Sequence, residues 1–128
     1  MNLLLDTHAF IWFFNGDKQL PNGVKNKIAD LSNQCFISIA SLWEIAIKQS
    51  LGKLELAADF KNIAGFIAEN DISILPVTFE HLQVLLTLPL HHGDPFDRII
   101  ISQGIKEKFI ITTRDDLFKN YSVAVIWQ

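Results

Sequence analysis

The sequence predicts an α/β protein, a three-layer α/β/α sandwich built on a mainly parallel sheet. Three observations lead there. Short apolar runs alternate with segments of helical periodicity along the whole chain. Most of the runs are continuous rather than alternating, the pattern of strands buried on both faces. The chain has 128 residues, 49% of them hydrophobic, enough for one core and too few for two.

Five runs read as strands: residues 2–5, 35–39, 72–77, 109–112 and 123–127. Between them lie the helical segments. The stretch from Ala9 to Phe14 is apolar all round, so a helix there has no solvated face and belongs in the core or at a partner surface. Residues 24–31 carry Val24, Ile28 and Leu31 at helical spacing, with Pro21 near the start. Residues 40–51 end at Gly52, suited to the position just past a helix. Residues 59–68 put Phe60, Ile63, Ala64 and Ile67 on one face, and helices over 78–86 and 96–106 complete the set. Residues 88–95 form the longest expected loop. No linker, repeat or low-complexity tract interrupts the chain, so residues 1–128 read as one domain.

Composition excludes several classes. The longest apolar stretch, Ala9 to Phe14, is far short of the ~20 residues needed to cross a bilayer, so no membrane role is expected. The N-terminus carries no basic region ahead of an apolar one, so no signal peptide is read there. Cys35 is the only cysteine, which rules out an internal disulfide and suits a cytoplasmic location. The net charge of −3 argues against binding nucleic acid by bulk positive charge. It leaves room for an enzyme that engages phosphates through a metal.

Four acids stand at comparable places. Asp6 ends the first apolar run, Glu44 lies on the helix after the second, Asp97 opens the helix after the long loop, and Asp115 follows the fourth run. In an open α/β sheet such places converge at one edge. Carboxylates brought within ~4 Å repel by roughly 4 kcal/mol per pair at an effective dielectric of about 20. A divalent cation between them removes that cost.

Each acid also has a purely structural reading. Ser41-Leu42-Trp43-Glu44 matches a capping box, and Lys48 stands four residues after Glu44 in the favourable ion-pair order. Asp94-Pro95-Phe96-Asp97 reads as a cap, a proline at the first helical position and an acid favoured by the helix dipole. Thr113-Arg114-Asp115-Asp116 reads as a threonine cap with two first-turn acids, and Arg98 and Arg114 as neutralising neighbours. Asp6 could cap the first helix. The recurrence of the pattern at four crossings is what favours the metal. His8, His91 and His92 show no zinc-ligand spacing; His91-His92 reads as an exposed loop dipeptide and His8 as a residue that packs or hydrogen-bonds at the start of the first helix.

Leu4-Leu5-Asp6-Thr7-His8, then Ser41-Leu42-Trp43-Glu44-Ile45-Ala46-Ile47-Lys48, then His92-Gly93-Asp94-Pro95-Phe96-Asp97-Arg98, then Thr112-Thr113-Arg114-Asp115 resemble the PIN-domain family, and within it the VapC-like toxins of toxin–antitoxin pairs. The likeness runs from residue 2 to about residue 126, with all four motifs in order. It implies an Mg²⁺- or Mn²⁺-dependent endoribonuclease that hydrolyses RNA phosphodiesters with a metal-activated water, leaving 3′-hydroxyl and 5′-phosphate ends. It places Asp6, Glu44, Asp97 and Asp115 in the metal site. Asp94 is then an additional acid that caps the helix or joins the metal, and Asp116 a substitute for Asp115. Thr113 would position a ligand or the phosphate, and Arg98 and Arg114 would orient acids or touch the RNA backbone. Lys48, Lys53 and Arg98 are the cations expected near the site, while Lys25, Lys27, Lys106 and Lys108 read as solvated surface. The resemblance also implies a homodimer and a cognate antitoxin laid in an apolar groove.

Two other functions fit parts of the pattern. One is a PIN-like scaffold that binds RNA or protein without cutting. The other is a flavodoxin-like, Mg²⁺-dependent phosphoacceptor domain, for which Asp6 lacks an acidic neighbour and the last strand lacks a lysine.

Overall fold

The computed structural model describes residues 1–128. Five strands form one parallel sheet in the order β3-β2-β1-β4-β5. They are β1 (Asn2–Leu5), β2 (Gln34–Ser38), β3 (Ile72–Leu75), β4 (Ile110–Thr112) and β5 (Val125–Ile126). The helices are α1 (Thr7–Asn15), α2 (Asn22–Ala29), α3 (Ile39–Ser50), α4 (Ile63–Glu69), α5 (Phe79–Thr87) and α6 (Pro95–Glu107). Two short 3₁₀ turns precede α4 and follow β4.

Central β1 shows why the runs are continuous. Leu3 and Leu5 face one core with Phe10, Trp12, Val24, Ile37, Ile45 and Ile67, while Leu4 faces another with Ile100, Ile111 and Phe118. Burial on both faces removes the polar alternation of a half-solvated strand. The α1 aromatics divide: Phe10 and Trp12 are buried, and Phe13 and Phe14 pack at the core margin against Phe66.

Several element ends moved, by up to four residues, and the clearest shifts have local reasons. The helix expected from residue 24 starts at Asn22, because Pro21 supplies the extended entry. The region around residue 60 is a 3₁₀ turn before α4 rather than one helix. Strand β5 shrinks to two residues at the sheet edge. The capping box at Ser41 is absent: β2 runs into α3 with no loop, so Ser38 is the cap and its hydroxyl accepts from Ala40 N–H. Glu44 consequently lies well inside the helix and caps nothing.

The chain order fixes where a ligand can sit. It moves outward from β1 to β2 and β3, then returns to the other side of β1 as β4. The crevice beyond the carboxyl ends of β1 and β4 is therefore the topological switch point of the sheet. The order also differs from the 2-1-3-4-5 of flavodoxin-like domains, so the phosphoacceptor alternative lacks its fold.

Candidate metal centre

Asp6 follows β1 directly and is 4% exposed. Its Oδ1 caps α1 by accepting from Ala9 N–H at 2.8 Å, and its Oδ2 accepts from the Thr113 hydroxyl at 2.5 Å. The Thr113 oxygen in turn accepts from Asp115 N–H at 3.0 Å, so one hydroxyl joins the ends of β1 and β4. Burial raises the Asp6 pKa, and the nearby Asp115 adds to it; the bonds from Thr113 and Ala9 and the charge of His8 oppose the rise.

Glu44 reaches the same edge from α3. The Thr7 hydroxyl donates to Ser41 at 3.0 Å, which ties the start of α1 to α3 one turn before Glu44. Glu44 is 3% exposed, and its Oε2 pairs with Lys48 at 2.7 Å. Its Oε1 is buried with no hydrogen-bond partner. A buried carboxylate oxygen left unbonded is costly, and it suits a cation or a substrate group. The Lys48 pKa is raised first by its bond to Glu44 and further by Asp94 and Asp97.

Asp97 stands in the first turn of α6. Asp94 caps that helix, its Oδ1 accepting from Phe96 N–H at 2.8 Å and Asp97 N–H at 3.1 Å, with Pro95 at the first helical position. The Asp97 pKa is pushed up to about 8, first by burial and then by Asp94, Asp6, Glu44 and Asp115. All the acids anticipated at the site thus act on one carboxyl group. Such a group is a poor anion unless positive charge arrives.

Asp115 caps the 3₁₀ turn after β4, its Oδ1 accepting from Leu117 N–H at 2.9 Å. Thr113 is therefore not a helix cap; it bridges Asp6 and Asp115. Asp116 is exposed and pairs with Lys119 at 3.2 Å, away from the other acids.

The sequence reading missed His92. It is 9% exposed rather than lying in an open loop, unlike its exposed neighbour His91. Its Nε2 lies 3.0 Å from Asp97 Oδ2 and 3.0 Å from Asp115 Oδ2. One atom from each of these three residues falls within 4.8 Å of the others. The signal available was His92 two residues ahead of the capped, acid-bearing start of α6.

The cations divide. Arg98 does not meet the acids; its guanidinium donates to the carbonyls of Leu88, Pro89 and His92 and to Tyr121, bracing the loop. Arg114 lies over the Trp12 ring at 4.5 Å and donates to Gln19. Together with His8, Trp12, Asp6 and Asp115 it lines a cavity of about 290 Å³. Lys53 is exposed beyond the end of α3. Lys27 is not free surface, since it donates to the Gln128 carbonyl.

The sequence model of the PIN domain matches residues 3–124. The chain belongs to the PIN-domain family. Its fold is shared by solved structures that include a toxin–antitoxin complex from Klebsiella pneumoniae (TM-score 0.64, 15% identity, 97% of this chain and 95% of that one). It is similar to VapBC2 from Rickettsia felis bound to a promoter DNA fragment (TM-score 0.76, 17% identity, 100% of each chain covered). It also resembles VapBC-1 from nontypeable Haemophilus influenzae (0.68, 13%, 98% of this chain and 97% of that one). A further likeness is to FitAcB from Neisseria gonorrhoeae (0.66, 19%, 97% and 96%). No curated protein is significantly similar in sequence. No helix is long and apolar enough to cross a membrane.

Proposed function

We propose that the whole chain is one PIN domain acting as an Mg²⁺- or Mn²⁺-dependent endoribonuclease, the toxin of a toxin–antitoxin pair. The observation that carries this reading is the gathering of Asp6, Glu44, Asp94 and Asp115 around the buried carboxyl group of Asp97, whose pKa burial first and then these acids push up to about 8. The donor set is all oxygen, which suits a hard divalent cation, and the orphaned Glu44 Oε1 gives it a further ligand atom.

Asp6, Asp97 and Asp115 would hold the ion, with Glu44 completing the set. Divalent-cation chemistry at such a centre lowers the pKa of water and offsets charge on a phosphoryl group. Thr113 holds Asp6 and Asp115 in fixed relation. Arg114, which lines the same cavity as Asp6, Asp115 and His8, supplies positive charge for the RNA backbone. A chain of net charge −3 needs such local contacts to hold an anionic substrate.

The partners belong to the same proposal: an RNA substrate, a cognate antitoxin, and a second copy of the chain in a homodimer, all in the cytoplasm. The antitoxin analogy comes from the structural neighbours, among them a toxin–antitoxin complex from Klebsiella pneumoniae. End-labelled RNA incubated with purified protein is the test. Cleavage that needs Mg²⁺ or Mn²⁺, stops with chelator and is lost in Asp97→Asn supports the reading. Intact RNA in the presence of either metal would favour the non-cutting scaffold.

A further inference from the structure

We propose that His92 is a positioning residue of the metal centre that holds Asp115 and Asp97 from outside, and is not itself a ligand. The inference rests on the metal-dependent reading above. Its grounds are the hydrogen bonds of the imidazole. Nδ1 accepts from Asp94 N–H at 3.2 Å, so that nitrogen carries a lone pair and no proton. The neutral ring then bears its proton on Nε2, the atom 3.0 Å from Asp115 Oδ2 and from Asp97 Oδ2. The hydrogen bond is directed at Asp115, and Asp97 lies at the same range.

A protonated Nε2 has no lone pair for a cation. Moving the proton to Nδ1 would free Nε2, but would set that new N–H against the N–H of Asp94. The Asp94 amide belongs to the residue that caps α6, so it cannot turn away without undoing the cap. The ring is held on its other sides as well. His92 N–H donates to Tyr121 at 2.8 Å, Arg98 donates to both the His92 carbonyl and Tyr121, and the Phe118 ring packs edge-on at 5.7 Å. The backbone thus fixes the tautomer, and the tautomer fixes the role.

This gives Arg98 and Tyr121 a purpose that their distance from the acids had hidden. They anchor the loop that carries His92. The histidine in turn places a partial positive charge between two carboxylates that repel. Its one N–H takes up a single lone pair of Asp115 Oδ2 and leaves the other lone pairs of Asp115 and Asp97 for the ion.

The test uses Mn²⁺ and the full-length chain. Electron spin-echo spectra of the Mn²⁺-loaded wild type should show no directly bound nitrogen. By calorimetry, His92→Ala should weaken Mn²⁺ binding about 10- to 100-fold, the usual cost of losing an outer-shell partner. His92→Gln, which restores an N–H donor, should recover much of that loss. A strong ¹⁴N coupling on Mn²⁺ would overturn the proposal by making His92 a ligand. So would unchanged affinity in His92→Ala, or a His92→Gln variant as weak as His92→Ala. The spectrum needs no variant, so it decides even if His92→Ala does not fold. Wild-type protein that takes up no Mn²⁺ at all would instead remove the metal reading on which the proposal stands.

Discussion

The two halves of the acidic pocket are built differently. Asp6 is held by the frame of the fold: the end of the central strand, the first turn of α1, and a hydroxyl from the strand next door. Asp97 and Asp115 meet through a loop histidine, with side chains 16% and 37% exposed. The first half is rigid because sheet pairing makes it so. The second depends on a chain of contacts through His92, Tyr121 and Arg98 that no strand enforces. A PIN domain can therefore fix one side of its site by topology and set the other by loop chemistry.

Substitutions separate the halves, beginning with the largest effect. Asp6→Asn and Asp97→Asn should each reduce RNA cleavage below detection while circular dichroism and cooperative melting persist. Wild-type cleavage in either variant would refute its assigned role. Thr113→Val should be the costliest change to the frame. It strips a buried carboxylate of its hydroxyl donor and should lower stability by about 1.5–3 kcal/mol in chemical denaturation. A loss well below that would mean the frame does not depend on the Thr113 bridge.

Asp97→Asn should act in the opposite direction on the metal-free protein. The folded pKa of Asp97, about 8, lies above its ordinary value of 3.8, so folding favours the protonated form. The metal-free fold is therefore undiminished below pH ~4 and loses stability as pH rises through about 8. The variant should melt several degrees higher than wild type at pH 8.5 and at the same temperature near pH 4. Equal melting at both values would show that the carboxylates do not strain the fold.

The smallest effect belongs to Lys48. Its ammonium is partly open to solvent, but the Glu44 carboxylate is 5% exposed and loses its one partner, so Lys48→Met should cost about 1–2 kcal/mol. A larger loss would mean that Glu44 is held by Lys48 rather than by its burial in α3.

The difference between the halves also explains what was legible in the sequence. Asp6, Asp97 and Asp115 stand out in the sequence because each follows a strand or opens a helix, which periodicity reveals, and Glu44 because it lies on the helix after the second strand. The Asp94-Pro95 start of α6 reads correctly because a cap is local chemistry. Glu44 was open to a capping-box reading because Ser41 and Glu44 satisfy that rule by spacing alone. Only the structure shows that Ser38 had already capped the helix. His92 was harder to read for a different reason. Its burial comes from Tyr121 and Phe118, and its bond runs to Asp115, 23 residues away. No periodicity marks a loop side chain that gains its role from another loop. The exposed apolar side chains Trp43, Phe79, Leu86 and Leu90 were likewise missed, because sequence drew attention to α1, whose aromatics mostly fill the core.

The most direct test of the acidic pocket is a Mn²⁺ titration of the metal-stripped protein, followed by calorimetry with proton release measured in two buffers. Saturable binding with protons set free near neutral pH, abolished in Asp97→Asn, is the predicted result. Heats that match dilution in the wild type, or equal binding in the variant, would contradict it.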